Sequence, residues 1–230
     1  MIGVRPGSAG PPDMKNSSTD DTRQRLLEAA GQIFAERGFQ AATIREICRR
    51  AGANVAAVNY HFGDKERLYI EAVRYAHCSG MEAPDLTWPD GTPPETKLTD
   101  FIRGMLESIL HDTRPMWQAQ LIIRELIEPS QACVEMVEKF IRGKYEILQA
   151  ILTELMPEGT EPSDRRLVAF SIVGQCLYYN KIHKPIGELL AGEEEYRSFD
   201  LDRLTDHITR FSLAALGRQP FFAQVGDARL

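Results

Sequence analysis

The sequence predicts an all-α protein, with a small N-terminal three-helix domain joined to a larger helical bundle. Three observations predict it. Apolar residues recur at helical spacing almost throughout, with no strand-like alternation, internal repeat or heptad run. The stretch Thr43 to Lys65, TIREICRRAGANVAAVNYHFGDK, reads as two short capped helices around a glycine turn, the arrangement of a DNA-reading helix-turn-helix. A loop dense in Pro, Gly and Asp, APDLTWPDGTPPE, separates the small domain from the rest.

Residues 1–19 are rich in Gly, Pro and Ser and lack an apolar signal core, so they read as a disordered leader. Leu26, Leu27, Ala30, Ile33 and Phe34 form the first helical stripe, with Asp20 and Asp21 near its start and Gly38 at its end. Thr43 caps the next helix and Glu46, three residues on, completes a capping box. Ile44, Ile47, Cys48 and Ala51 are its apolar face. Gly52-Ala53 makes the turn, because glycine enters a sharp bend at low steric cost. Asn54 is a second N-cap, opening Val55 to Phe62. Asp64 caps a helix with the stripe Leu68, Tyr69, Ala72, Val73 and Ala76. The reading head is therefore residues 20–79, followed by a linker at 80–94.

Residues 95–218 make the second domain, with 219–230 as a tail. Leu98, Phe101, Ile102, Met105, Leu106 and Ile109 mark one helix, and Pro115 opens another that runs to about Glu128. A long helix is expected from about Ala132 to Leu155, another from Ser163 to about Leu190, and a last one from Leu201 to Leu216.

Charge distinguishes the two parts. The whole chain of 230 residues carries a net charge of −6. Residues 1–77 hold 11 Lys/Arg against 9 Asp/Glu, whereas the remainder holds 16 against 24. The arginines of the first part cluster around the helix-turn-helix, so placement rather than total charge favours a nucleic-acid partner. No apolar run reaches membrane-spanning length, and cytoplasmic residence is the expectation. Cys48, Cys78, Cys133 and Cys176 are scattered without a C-x-x-C pair, and the five histidines lack metal spacing. No metal, cofactor or nucleophile–base arrangement is expected, and the chain does not read as an enzyme.

The head ends in Tyr60-His61-Phe62-Gly63-Asp64-Lys65-Glu66. Together with Gly38, Phe39, Thr43, Ile47, Ala51, Gly52 and Leu68, this spacing resembles the TetR family of one-component transcriptional repressors, over about Arg23 to Ala76. The string RELIEPSQA, from Arg124, also resembles the CecR-type members. The resemblance implies a homodimeric repressor on a palindromic double-stranded DNA operator, whose C-terminal domain binds a small, partly apolar effector and dimerises.

Thr43, Arg45 and Lys65 lie at helix N-termini, where free N–H groups favour phosphate. The resemblance adds phosphate contacts for Tyr60 and His61. Such contacts position the protein without reading sequence. Base reading falls to the exposed face of Asn54–Asn59: Asn59 can pair with adenine, and Val55 or Ala56 can touch a thymine methyl. The alternatives are that Thr43 is a cap alone and His61 a packed side chain, while Arg49 and Arg50 read as solvated charges. Ala53-Asn54-Val55 departs from the family's usual Val-Ser start, which leaves few side chains for guanine.

In the second domain Trp117, Leu121 and Arg124 recur on one helical face. Arg124 is either paired structurally, with Glu128, or a ligand anchor. Gln175, Tyr179, Asn180 and His183 bring polar groups among aromatics and complete the candidate effector pocket. The apolar excess of the last two helices gives the candidate dimer interface: Phe170, Val173, Leu177, Ile208 and Phe211.

Overall fold

A computed structural model describes residues 14–78 and 86–218, all of it helix, turn and loop, with no strand among the described residues. The helices are α1 (Met14–Ala41), α2 (Ile44–Ala51), α3 (Val55–His61), α4 (Lys65–Cys78), α5 (Pro94–Leu110), α6 (Met116–Ile127), α7 (Gln131–Met136), α8 (Arg142–Leu155), α9 (Pro162–Tyr178), α10 (Lys184–Ala191), α11 (Glu193–Arg197) and α12 (Leu201–Ala215). A π-helical turn, Val137–Ile141, joins α7 to α8. Most of the leader, part of the linker and the tail lie outside the described residues; α1 starts at Met14, inside the leader segment.

Contacts divide the chain into two compact units: Met1–Ala76 with Met116–Ala132, and His77–Pro115 with Cys133–Leu230. The first unit thus takes α6 from the middle of the chain. Its core gathers Leu26, Ala30, Ile33 and Phe34 of α1, Ile47 of α2, Val58 of α3, Leu68, Tyr69 and Ala72 of α4, and Leu121 of α6. Trp117 packs on α1 at Gly31, so closely that a Cβ there would meet the indole at 2.1 Å. The Arg124 guanidinium donates to the Ala35 carbonyl at 3.3 Å, where α1 runs out of partners before the break at Gly38 (φ 75°, ψ 171°). That backbone conformation belongs almost exclusively to glycine.

α6 also buries a polar residue. Glu125, 1% exposed, accepts the Tyr69 hydroxyl on one oxygen and the Ser130 hydroxyl (2.7 Å) and N–H (3.3 Å) on the other. Burial pushes the Tyr69 phenol far above its ordinary range, and the hydrogen bond to Glu125 adds to it. A cavity of about 320 Å³ opens beside this hub, walled by Phe39, Tyr69, Ile70 and Arg124.

The second unit packs α5, α8, α9 and α12 around Leu98, Ile102, Leu106, Leu148, Leu152, Ile172, Cys176, Leu204 and Ile208. Two expectations need correction. The helix expected from Ser163 to Leu190 stops at Tyr178, because Asn180 turns the chain: its Oδ1 accepts the N–H groups of Ile182 (2.8 Å) and His183 (3.2 Å). Pro185 then favours a fresh helix start, giving α10. The long helix from Ala132 is continuous only through the π turn, and its first residue is Gln131.

Candidate nucleic-acid interface

The helix-turn-helix is fixed by its caps. Thr43 Oγ1 accepts the Glu46 N–H at 3.3 Å, starting α2. The other half of the expected capping box is absent: the Glu46 carboxylate turns to Arg37 at 2.9 Å, tying α2 to the end of α1. Gly52, at φ 61°, ends α2 in the left-handed region, and Ala53 N–H returns to the Cys48 carbonyl at 2.9 Å. Arg25 adds a donor to the Ala51 carbonyl at 3.2 Å. Asn54 Oδ1 then accepts the Ala57 N–H at 2.8 Å and opens α3. Asp64 does the same for Arg67 at 2.8 Å and opens α4.

α3 has two unlike faces. Val58, 1% exposed, and the following Phe62 anchor it to the core. Asn54, Val55, Ala56, Asn59 and Tyr60 are exposed, Tyr60 at 78%. Thr43 and Arg45 are exposed at the start of α2, and His61 and Lys65 are half-buried around the end of α3. The Lys65 ammonium lies 4.6 Å from the centre of the Phe39 ring and 3.4 Å from the Gln40 carbonyl, which orients it, and it makes no ion pair among the described residues. Arg50 is committed to Glu36 at 2.8 Å, whereas Arg45 and Arg49 make no ion pair among the described residues. All nine predicted DNA-side residues therefore belong to one compact unit, around a short helix whose outward face is exposed among the described residues.

Comparison with known proteins decides what kind of reader this is. Residues 26–72 match the profile of "Bacterial regulatory proteins, tetR family". Residues 94–216, more than half of the chain, match that of the "HTH-type transcriptional dual regulator CecR, C-terminal domain". The chain belongs to the TetR family, with a CecR-type C-terminal domain.

Its relatives are named as regulators and not as enzymes. The chain is 36% identical over 87 residues to the transcriptional repressor AcnR of Corynebacterium efficiens, covering 38% of this chain and 42% of that protein. It is 26% identical over 183 residues to the dual regulator CecR of Shigella flexneri, covering 75% of each. Among solved structures, a SmeT–triclosan complex matches with TM-score 0.55 at 22% identity, covering 88% of this chain and 94% of that one, which establishes a shared fold. No described helix of this TetR-family protein is long and apolar enough to cross a membrane.

The expected sensor residues fall into both units. In the first, Trp117, Leu121 and Arg124 all pack on α1 or its end: Leu121 is fully buried and Trp117 stacks 6.3 Å from Tyr75. Arg124 bonds the α1 carbonyl and makes no ion pair with Glu128 among the described residues. In the second, Gln175 is half-buried on α9, and Tyr179, Asn180 and His183 lie in the turn after it. Burial pushes the Tyr179 phenol up. His183 stacks on Tyr178 at 5.4 Å, and its Nδ1 is buried without a hydrogen-bond partner. Of the expected interface residues, Phe170 (59%), Leu177 (42%) and Phe211 (47%) are exposed and Val173 is half-buried, while Ile208 is fully buried in the core of its own unit.

Proposed function

We propose that this TetR-family regulator is a homodimeric repressor that binds a palindromic operator and is released by a small, partly apolar effector in its C-terminal unit. The outward face of α3 carries the reading. An exposed Val55 and Tyr60 on a helix anchored by Val58 are costly in water and well suited to a major groove. Thr43, Arg45, Tyr60, His61 and Lys65 then hold phosphates, and Asn54, Val55, Ala56 and Asn59 face the bases. A helix as short as α3 reads few base pairs, so two copies on half-sites about 34–36 Å apart supply the affinity. The exposed Phe170, Leu177 and Phe211 support pairing through α9 and α12. The triclosan complex of the structurally similar SmeT supports a small-molecule effector.

Binding of the full-length protein to DNA from its own upstream region, measured over a salt series, tests this. Tyr60→Ala should weaken binding at every salt concentration. Lys65→Ala should weaken it and flatten the log–log salt slope by about 1, the weight of one phosphate contact. Unchanged affinity in both variants would remove the phosphate assignments.

A further inference from the structure

The cavity of about 320 Å³ beside the Glu125 hub lies wholly within the first unit, lined by the end of α1, the first turns of α4, and the end of α6 with the loop after it. Its apolar wall is Phe39, Tyr69 and Ile70. The Phe39 and Tyr69 rings meet edge-on at 5.1 Å, and Phe34 packs edge-on against Tyr69 at 4.9 Å, so the wall is set by the folded core.

Five charged side chains line the same space: Arg37, Glu66, Arg124, Glu125 and Glu128. Arg37 is committed to Glu46 at 2.9 Å, and both oxygens of Glu125 are taken by Tyr69 and Ser130. Arg124, Glu66 and Glu128 remain, and none of them makes an ion pair among the described residues. The Arg124 guanidinium is half-buried and fixed: it donates to the Ala35 carbonyl at 3.3 Å, and a Cβ on Gly38 would stand 2.9 Å from its Nη1. A guanidinium presents its N–H donors as a planar fork that matches a carboxylate, and one bond to a carbonyl leaves most of that fork open. Glu66 and Glu128 are exposed, at the rim. A half-buried cation, carboxylates at the rim and an apolar wall around one small space suit a molecule that carries both charges on an apolar body. A simple anion would face the two carboxylates, and a simple cation would face Arg124.

We propose that this cavity binds a free amino acid with an apolar side chain: Arg124 takes its carboxylate, Glu66 and Glu128 its ammonium, and Phe39, Tyr69 and Ile70 its side chain. Ligand pockets span about 300–1,000 Å³, and this one is at the end suited to a ligand of that size. The site goes beyond the effector reading, because it lies in the reading head and not in the C-terminal unit. Phe39 also carries the Lys65 ammonium 4.6 Å from its ring centre, so an occupant packs on the ring that orients this lysine.

Calorimetry on the full chain tests the site, each amino acid run beside analogues that lack one charge. L-Phenylalanine is compared with 3-phenylpropionate and phenethylamine, and L-leucine with 4-methylpentanoate and isoamylamine. At least one amino acid should bind saturably, and each of its analogues should bind about tenfold or more weakly. Glu66→Gln combined with Glu128→Gln changes exposed residues that the fold should tolerate. The pair should weaken the amino acid about tenfold while its deamino analogue binds no more weakly than before. Arg124→Gln should weaken both. No saturable binding of either amino acid, an analogue that equals its amino acid, or wild-type affinity in the combined glutamate variant each overturns the proposal. None of these outcomes involves DNA, so the effector reading stands or falls apart from them.

Discussion

Asp112 accepts the Arg114 backbone N–H at 2.9 Å, that residue's Nε and Nη2 at 2.7 and 2.9 Å, and a lysine ammonium besides. Burial raises its carboxyl, and the hydrogen bonds from Arg114 and Lys181 outweigh burial and hold it at about 2. A carboxyl depressed from 3.8 in the unfolded chain stabilises the fold fully above pH ~4 and loses that contribution as pH falls toward ~2. Asp112→Asn should therefore cost about 3 kcal/mol at neutral pH, since it strands two partly buried cations. It should also flatten the decline in stability between pH 4 and 2, read by urea unfolding across that range; an acid limb as steep as wild type would contradict the assignment. This triad was invisible in the sequence, because it joins a loop to a turn 67 positions away, a separation with no periodic signature. The caps Thr43, Asn54 and Asp64 were legible, because each works on a neighbour three residues on. Glu46 shows the limit of such local reading: a capping-box carboxylate found a cation outside its helix and took it.

Among the elements, α6 gains most meaning from the structure. Its face of Trp117, Leu121 and Arg124 was read correctly as one stripe, but spacing cannot say what a stripe faces, and it faces α1. The glycine opposite Trp117 explains how closely the two approach. Gly31→Ala would ordinarily stabilise an interior helical position by about 0.5–1 kcal/mol. Here the added methyl would meet the indole at 2.1 Å, and overpacking costs about 1–3 kcal/mol, so the clash decides the sign. The melting temperature should fall in Gly31→Ala and recover partly when Trp117→Leu is added; a higher melting temperature in the single variant would show that α6 yields freely. The break after Tyr178 was missed for a related reason. Apolar residues keep their spacing through Ile182 and Ile186, while a single side chain, Asn180, diverts the backbone. The π turn was missed because one extra residue leaves an apolar stripe looking intact.

For the whole molecule, the all-helical class and the position of the reading head were legible, because each follows from local period and capping. Assembly was less so. Ile208 was counted toward a surface and lies in the core, since an apolar residue on a helix declares burial and not its partner. Phe170 and Leu177 remain exposed on α9, one heptad apart, where a second copy can cover them. A stable interface buries about 800 Å² per partner, and a charge at its centre is poorly tolerated. Phe170→Asp should therefore give a monomer by sedimentation with the helical spectrum intact, and operator binding should become weak and first-order in protein; a dimer of wild-type strength would move the interface elsewhere. The contribution of α6 to the first unit has a further result, for recombination. A splice at the loop before α5 looks like a clean seam between the reading head and the C-terminal domain. It would instead separate Tyr69 from Glu125 and uncover the face of α1 that Trp117 and Leu121 occupy. The two units can be exchanged between relatives only if residues 116–132 travel with the reading head, so the exchangeable part of this regulator is discontinuous along its gene.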